Sequence, residues 1–305
     1  MSDMTPRGPN DEDKEKEKNV PDVVKRLSKD LALAARTISD AEARFLVDAY
    51  YVMQDGRIRA AGQVRSIEKN PVDTGEVDTD GKPIKMIEPH DVLSWLADQN
   101  WVLETQVKRA LGKYVEAHLV GEWLTSIYGI GPVISAGLLA HIDIRKAPTA
   151  GHIWRFAGLD PTVKWLPKTK RPWNASLKVL CWKAGESFVK FSNHDECFYG
   201  KLWRKQKDLY ISRNEAGAYK ERSAEILRTK NYGKDTDAYA AYISGKFPPA
   251  HIHAMARRYA VKLFIAHLHH VMHIRILEKE PPWPYPIAQL GHVHYIAPPG
   301  NVPKV

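Results

Sequence analysis

The chain lacks the residue patterns that mark several large protein classes. Only two of its 305 residues are cysteines, Cys181 and Cys197. That is too few for a disulfide scaffold or a zinc module, and a reducing cytoplasm is the expected location. No run approaches the roughly 18 apolar residues that span a bilayer, so no membrane partner is expected. The opening stretch, MSDMTPRGPNDEDKEKEKN, has no apolar core of a secretory leader. Strand-like alternation is scarce and no strand–helix–strand series appears, which excludes a Rossmann-type nucleotide fold. No internal repeat is visible.

What is present is positive charge, unevenly placed. The net charge is +9, yet residues 1–19 hold four basic and six acidic side chains, and residues 164–234 hold 17 basic and seven acidic. One segment therefore carries the whole surplus, and such a block points to a polyanionic partner. The same segment carries interleaved aromatic residues, including Trp165, Trp173, Trp182, Phe188, Phe191 and Trp203. Basic side chains replace condensed counterions, and exposed rings stack on bases. Lys164, Lys168, Lys170 and Arg171 surround Pro167 and Pro172 and are expected on an exposed loop flanked by Trp165 and Trp173, the stacking candidates. Arg204 and Lys205, with Lys207, form a second basic cluster. Phe188, Phe191, Trp182 and Trp203 fall among apolar neighbours and are expected in the core.

Periodicity gives the organisation. Residues 1–19 read as a disordered tail. Residues 20–122 read as a helical hairpin: a pattern from Pro21 through Val23, Val24, Leu27 and Leu31, a helix starting at Ser39 with Glu42 as a capping box, and a long helix over 91–117. A loop at 69–89 interrupts them, holding one small β-hairpin with Asp80-Gly81 as its tight turn. Residues 123–277 read as a compact helical domain, and 278–305 as an irregular proline-rich segment. The fold class is mainly α, and the long N-terminal helices are expected to drive homo-oligomerisation.

The most informative stretch is LTSIYGIGPVISAGLLAH, residues 124–141. Gly129-Ile130-Gly131 separates two apolar helical patterns in a helix-hairpin-helix arrangement. Glycine permits the sharp turn, Pro132 suits the first turn of the second helix, and Ile130 closes the hairpin from beneath. The bare N–H groups at such a helix start form a phosphate site. Gly129, Ile130 and Gly131 are therefore the first candidates for gripping a nucleic-acid backbone.

The run from Gly129 to Pro161 resembles the C-terminal domain of DEDD-type insertion-sequence transposases, the Piv-like, bridge-RNA-guided family. Gly-Ile-Gly, Ala136-Gly137-Leu138-Leu139, Ile142-Asp143-Ile144, His152 and Ala157-Gly158-Leu159-Asp160-Pro161 carry the resemblance. Looser similarity continues through Asn174–Lys178, Phe198–Leu202 and Ala254–Leu263. The resemblance implies DNA as partner, with RNA as the alternative, and a role in transposition or recombination. The family also has an acidic RuvC-like domain and a nucleophilic serine in a glycine-rich stretch. Residues 1–122 show no strand-borne acidic set, and Thr162–Trp173 contains neither serine nor glycine. No catalytic residue is assigned here. The expected function is a binding module that does not cut nucleic acid alone. A recombinase subunit completed by an acidic partner and a structural assembly protein are the rival readings.

Histidines gather near the end: His251, His253, His267, His269, His270, His273, His292 and His294. His269 and His273 stand four apart on one helix face, a spacing that can hold a metal, but no glutamate completes H-E-x-x-H and no cysteine is near. No metal site is expected. No cofactor is called for beyond a cation such as Mg²⁺ or K⁺ at the hairpin.

Overall fold

The computed structural model describes residues 27–70, 72–86, 91–282 and 295–300. The fold is mainly α: eleven helices and one two-stranded sheet among these residues. The tail at 1–19 and the histidines His292 and His294 lie outside the described residues. None of the described helices is long and apolar enough to cross a membrane. The chain divides into two compact units, one holding the residues up to Ala35 with Asp48–Ala110, the other Arg36–Val47 with the residues from Leu111 onward.

The first helices start where side chains supply caps. Ser28 accepts from Leu31 N at 3.1 Å and opens α1 (Lys29–Ala34). Residues 21–26 of the pattern read from Pro21 lie outside the described residues. Ser39 and Glu42 form the expected capping box: Ser39 N donates to Glu42 Oε2 at 2.7 Å and Glu42 N to Ser39 Oγ at 3.3 Å. They open α2 (Asp40–Lys69). Strands β1 (Val72–Val77) and β2 (Pro83–Met86) pair antiparallel. Their turn is wider than an Asp80-Gly81 dipeptide. Asp78 N donates to Lys82 O at 2.8 Å, and the Asp78 carboxylate accepts from Asp80 N and Lys82 N. The aspartate closes the loop as an Asx turn does. Helix α3 (Asp91–Glu116) then returns.

Within the first unit, α2 and α3 meet through a polar knot. Glu104 accepts from Arg57 Nε at 2.6 Å, Tyr50 Oη at 3.1 Å and Gln54 Nε2 at 3.2 Å. Burial pushes the Glu104 carboxyl up, but these donors outweigh it and hold it below the usual value. Among the described residues of this unit apolar burial is thin, confined to Tyr50 and small residues such as Ala60 and Ala110.

The second unit holds the large core. Its helices are α4 (Gly121–Ser126), α5 (Pro132–His141), α6 (Ala150–Phe156), α7 (Ala175–Lys190), α8 (Phe198–Glu215), α9 (Lys220–Thr229), α10 (Asp237–Ile243) and α11 (Pro249–Leu277). Helix α11 is the spine, packed against α6, α7 and α8. Phe188, Tyr199 and Phe264 interlock at its centre with ring centroids 4.9–5.4 Å apart. All three are fully buried, each contributing roughly 1.5–3 kcal/mol. A satellite cluster of Ile226, Tyr242, Phe247 and Ile252 closes the α9–α10 end. There the Asn214 amide brackets the Phe247 backbone, donating to its carbonyl and accepting from its N–H.

The histidines serve this core. His267 Nε2 donates to Ile296 O at 2.8 Å, which leaves Nδ1 to accept from the Tyr199 hydroxyl at 2.8 Å. His269 Nε2 donates to Ala147 O at 2.9 Å. Burial pushes both rings down to about 4. Pro299 O accepts from Trp123 Nε1 at 2.9 Å, so residues 295–300 lie along α4 and α11.

Candidate nucleic-acid interface

Helix α4 ends at Ser126, and the chain turns back into α5 at Pro132. Ile130 N donates to Ile127 O at 2.9 Å, closing a four-residue turn. Gly129 takes its third position with φ +92°, where a type II turn favours glycine. Ile130 is buried beneath. The two glycines are unlike. Gly129 is wedged against α7: its carbonyl accepts from Ser187 Oγ at 2.5 Å, and an added Cβ would lie 3.0 Å from that oxygen and 3.5 Å from Phe191 Cδ2. Gly131 caps α5 with φ −92°, is exposed, and an added Cβ would meet nothing within 4 Å. No side chain caps the α5 start. Its first turn carries a partial positive charge worth about 0.3–1 kcal/mol toward an anion.

The basic loop is built differently. Trp165 Nε1 donates to Thr169 O at 2.8 Å, and Arg171 Cζ lies 4.8 Å from the centre of the same ring. Trp173 stands edge-on to Trp165 at 6.3 Å. It packs on Gly158, where a Cβ would fall 2.7 Å from its ring. Lys178 Nζ lies 4.0 Å from the Trp173 ring centre. Lys164, Lys168 and Lys170 are exposed along this loop. Lys168 holds φ +62°. Thr169 Oγ1 donates to Leu166 O at 2.7 Å, closing the loop on itself.

Beside the loop lies a cleft of about 350 Å³, lined by Asp160, Trp173, Lys178, Trp182, Arg257 and Arg258 among others. Two glycine contacts shape it: Trp173 over Gly158, and the Arg257 stem over Gly185, whose Cβ would sit 2.8 Å from Arg257 Cγ. Burial, with Arg258 and Arg171 close by, lowers the pKa of Lys178. Burial and Arg258 lower that of Arg257 as well. Lys262 is lowered by burial and Arg258, against the opposing pull of Asp160, and lies 4.2 Å from the Trp154 ring centre. Glu186 pairs with Arg257. Asp160 is held as a carboxylate first by the N–H and then by the hydroxyl of Thr162. Cations crowd this cleft closely enough to penalise one another, a state that an anion relieves.

The structure joins Trp165, Arg171, Trp173 and Lys178 into one cluster. It does not join that cluster to the Gly-Ile-Gly turn. The turn docks on Ser187 and Phe191 of α7, and the cleft uses Lys178, Trp182 and Gly185. At 100° per residue these are opposite faces of the helix, and Ser187 lies about 13 Å along the axis from Lys178. Arg204 follows the turn side. Its guanidinium donates to Ser192 O at 2.6 Å and to Asn193, fastening the connection between α7 and α8, while Lys205 beside it is exposed. Trp182 corrects a core expectation: it is 51% exposed, with Arg257 Cζ 5.5 Å from its ring centre. Phe191 is likewise at the surface edge, whereas Phe188 and Trp203 are buried.

Sequence reasoning missed Trp182, Arg257, Arg258 and Lys262 as site residues. The available signal was spacing: Lys178 and Trp182 are four apart on α7, as are Arg258 and Lys262 on α11. Ser176 is the second residue of α7, whose cap is Asn174 accepting from Leu177 N at 2.8 Å. No three His, Cys, Asp or Glu side chains gather as a metal site among the described residues.

Residues 121–171 match the family model described as Transposase IS116/IS110/IS902 family. The match runs from the first residue of α4 through the turn, α5 and α6 to Arg171 of the basic loop. This segment is transposase-related, which connects the chain to DNA recombination. No curated protein and no solved structure matches the chain.

Proposed function

We propose that the second unit is a sequence-tolerant nucleic-acid-binding module of transposase descent that does not cut nucleic acid by itself. The observation that carries this reading is the cleft lined by Lys178, Arg257 and Arg258 among tryptophans, with Arg171 and Lys262 close enough to act on those cations and Asp160 and Glu186 as the carboxylates beside them. Contacts of this kind hold phosphates and position a protein without reading bases. Lys164, Lys168 and Lys170 extend the positive edge, and the open N-terminus of α5 at Gly131 offers a second anion contact on the other side of α7. DNA is the partner favoured by the transposase-related segment. Absence of cleavage is supported by the basic loop, whose one hydroxyl residue between Val163 and Trp173, Thr169, is bonded to Leu166 O. Buried free thiols at Cys181 and Cys197 suit a reducing cytoplasm.

The test is binding of the purified chain to labelled duplex DNA, single-stranded DNA and structured RNA, with and without Mg²⁺, scoring both mobility shift and cut product. The reading expects a shift without cleavage. Cut or covalently trapped nucleic acid would restore the recombinase reading.

The first unit supports a second copy as partner. Trp95, Leu96 and Leu103 lie along one side of α3 and are 55%, 43% and 38% exposed, while the unit buries little of its own. An apolar stripe on a helix pair with so thin a core is the signature of an assembly surface. Sedimentation of the wild type against Leu96→Asp/Leu103→Asp is expected to show a dimer becoming a monomer.

A further inference from the structure

We propose that the α7–α11 cleft takes an unpaired nucleobase, stacked on Trp182, with its phosphates held by Lys178 and Arg258. This rests on the nucleic-acid reading above and narrows it to single-stranded or flipped-out nucleotides.

The rings around the cleft are not equivalent. Trp173 is closed on both sides, by Gly158 and by the Lys178 ammonium at 4.0 Å, and forms a wall. Trp165 is edge-on to Trp173 and tied through its indole N–H to Thr169 O. Trp182 has Arg257 5.5 Å from its ring centre and is otherwise half exposed. A large aromatic ring left half open inside a cationic cleft offers a face to another flat ring. Apart from Asp160 the remaining lining is apolar, with Leu159, Pro161, Ala254, Val261 and the buried Cys181. Such a lining receives the body of a base, not its charged backbone.

Size and charge agree. A cleft of about 350 Å³ is at the lower end of small-molecule sites and admits a nucleotide but not a duplex, whose bases are covered by their neighbours. Arg258 is exposed and has no ion pair among the described residues, while Arg257 is engaged by Glu186. Lys178 stands one helical turn before Trp182, so a base over the ring leaves its phosphate within range of the ammonium. Aromatic stacking of this kind is tolerant of base identity.

The experiment compares three labelled probes by fluorescence anisotropy at one salt concentration: oligothymidylate, a fully abasic strand of equal length and a blunt duplex. The two single strands carry the same phosphates, so their difference reports bases alone. The wild type is expected to bind oligothymidylate at least about ten-fold more tightly than the abasic strand, within the range stacking provides. Trp182→Ala should erase that difference, and Trp182→Phe should restore most of it. Trp182 is half exposed, so its truncation leaves the core intact. Equal affinity for the two single strands, or a difference that survives Trp182→Ala, would overturn the base slot and leave backbone binding standing. Failure to bind any probe would overturn both readings.

Discussion

The Gly-Ile-Gly turn and the basic cleft use opposite sides of the same helix and are built on opposite principles. The turn is local. Its shape comes from five consecutive residues, and its glycine at 129 is fixed by a positive φ and by contact with Ser187 and Phe191. The cleft is assembled from residues about 80 positions apart in sequence, Lys178 and Trp182 on α7 with Arg257 and Arg258 on α11. The turn contributes backbone dipoles whose pull on an anion is small. The cleft contributes full charges, crowded enough to lower one another's pKa. The most recognisable motif is therefore mainly a structural joint, and the stronger claim to ligand binding lies where the sequence shows no motif.

Acid should act on the cleft's support most strongly. His267 and His269 on α11 are neutral at pH 7, with burial pushing them down to about 4 against an ordinary value of 6.5. Between those values the unfolded chain binds more protons than the folded one, so stability rises with pH there and is lost as pH falls from about 6.5 to 4. Each ring forfeits up to about 3 kcal/mol across that window. Urea unfolding as a function of pH measures this, and His269→Gln should flatten the profile.

Next in size, the two glycines of the turn should separate. Gly129→Ala places a side chain at positive φ and against Ser187, at a cost of about 1–3 kcal/mol seen as a lower Tm. Gly131→Ala fills open space at an ordinary φ, and its effect on stability should stay within about 0.5 kcal/mol. If both variants melt alike, the turn is not the docked joint described here. The smallest effect belongs to Gly131→Ala in binding: loss of a few tenths of a kcal/mol in affinity, if the α5 N-terminus touches phosphate.

These elements show what the sequence made legible. Local rules were readable wherever a side chain acts on its own neighbours. Ser39 with Glu42 marked a helix start, and Gly129 marked the turn. The small hairpin turning at Asp80-Gly81 was readable, but the group that closes the turn, the Asp78 carboxylate, lies outside the dipeptide. Trp182 was assigned to the core for its apolar neighbours. Yet it is six residues from Phe188, about 120° around the helix from that buried side. The α11 half of the cleft was unreadable because only tertiary packing, with Gly185 admitting Arg257, brings it to α7. Of the two histidines read as a potential metal pair, His269 proved to be a core donor, held by the Ala147 carbonyl from a distant segment, while His273 is buried beside it with neither ring nitrogen hydrogen-bonded among the described residues.

The central claim, that the α7–α11 cleft grips phosphate, is tested most directly by the salt dependence of affinity for a fixed oligonucleotide, from about 50 to 200 mM, in the wild type and in Lys178→Ala/Arg258→Ala. The expected result is a steep linear fall of log K with log salt in the wild type, and a slope shallower by about one for each removed cation in the variant. A flat wild-type profile, or a slope unchanged in the variant, would contradict the account.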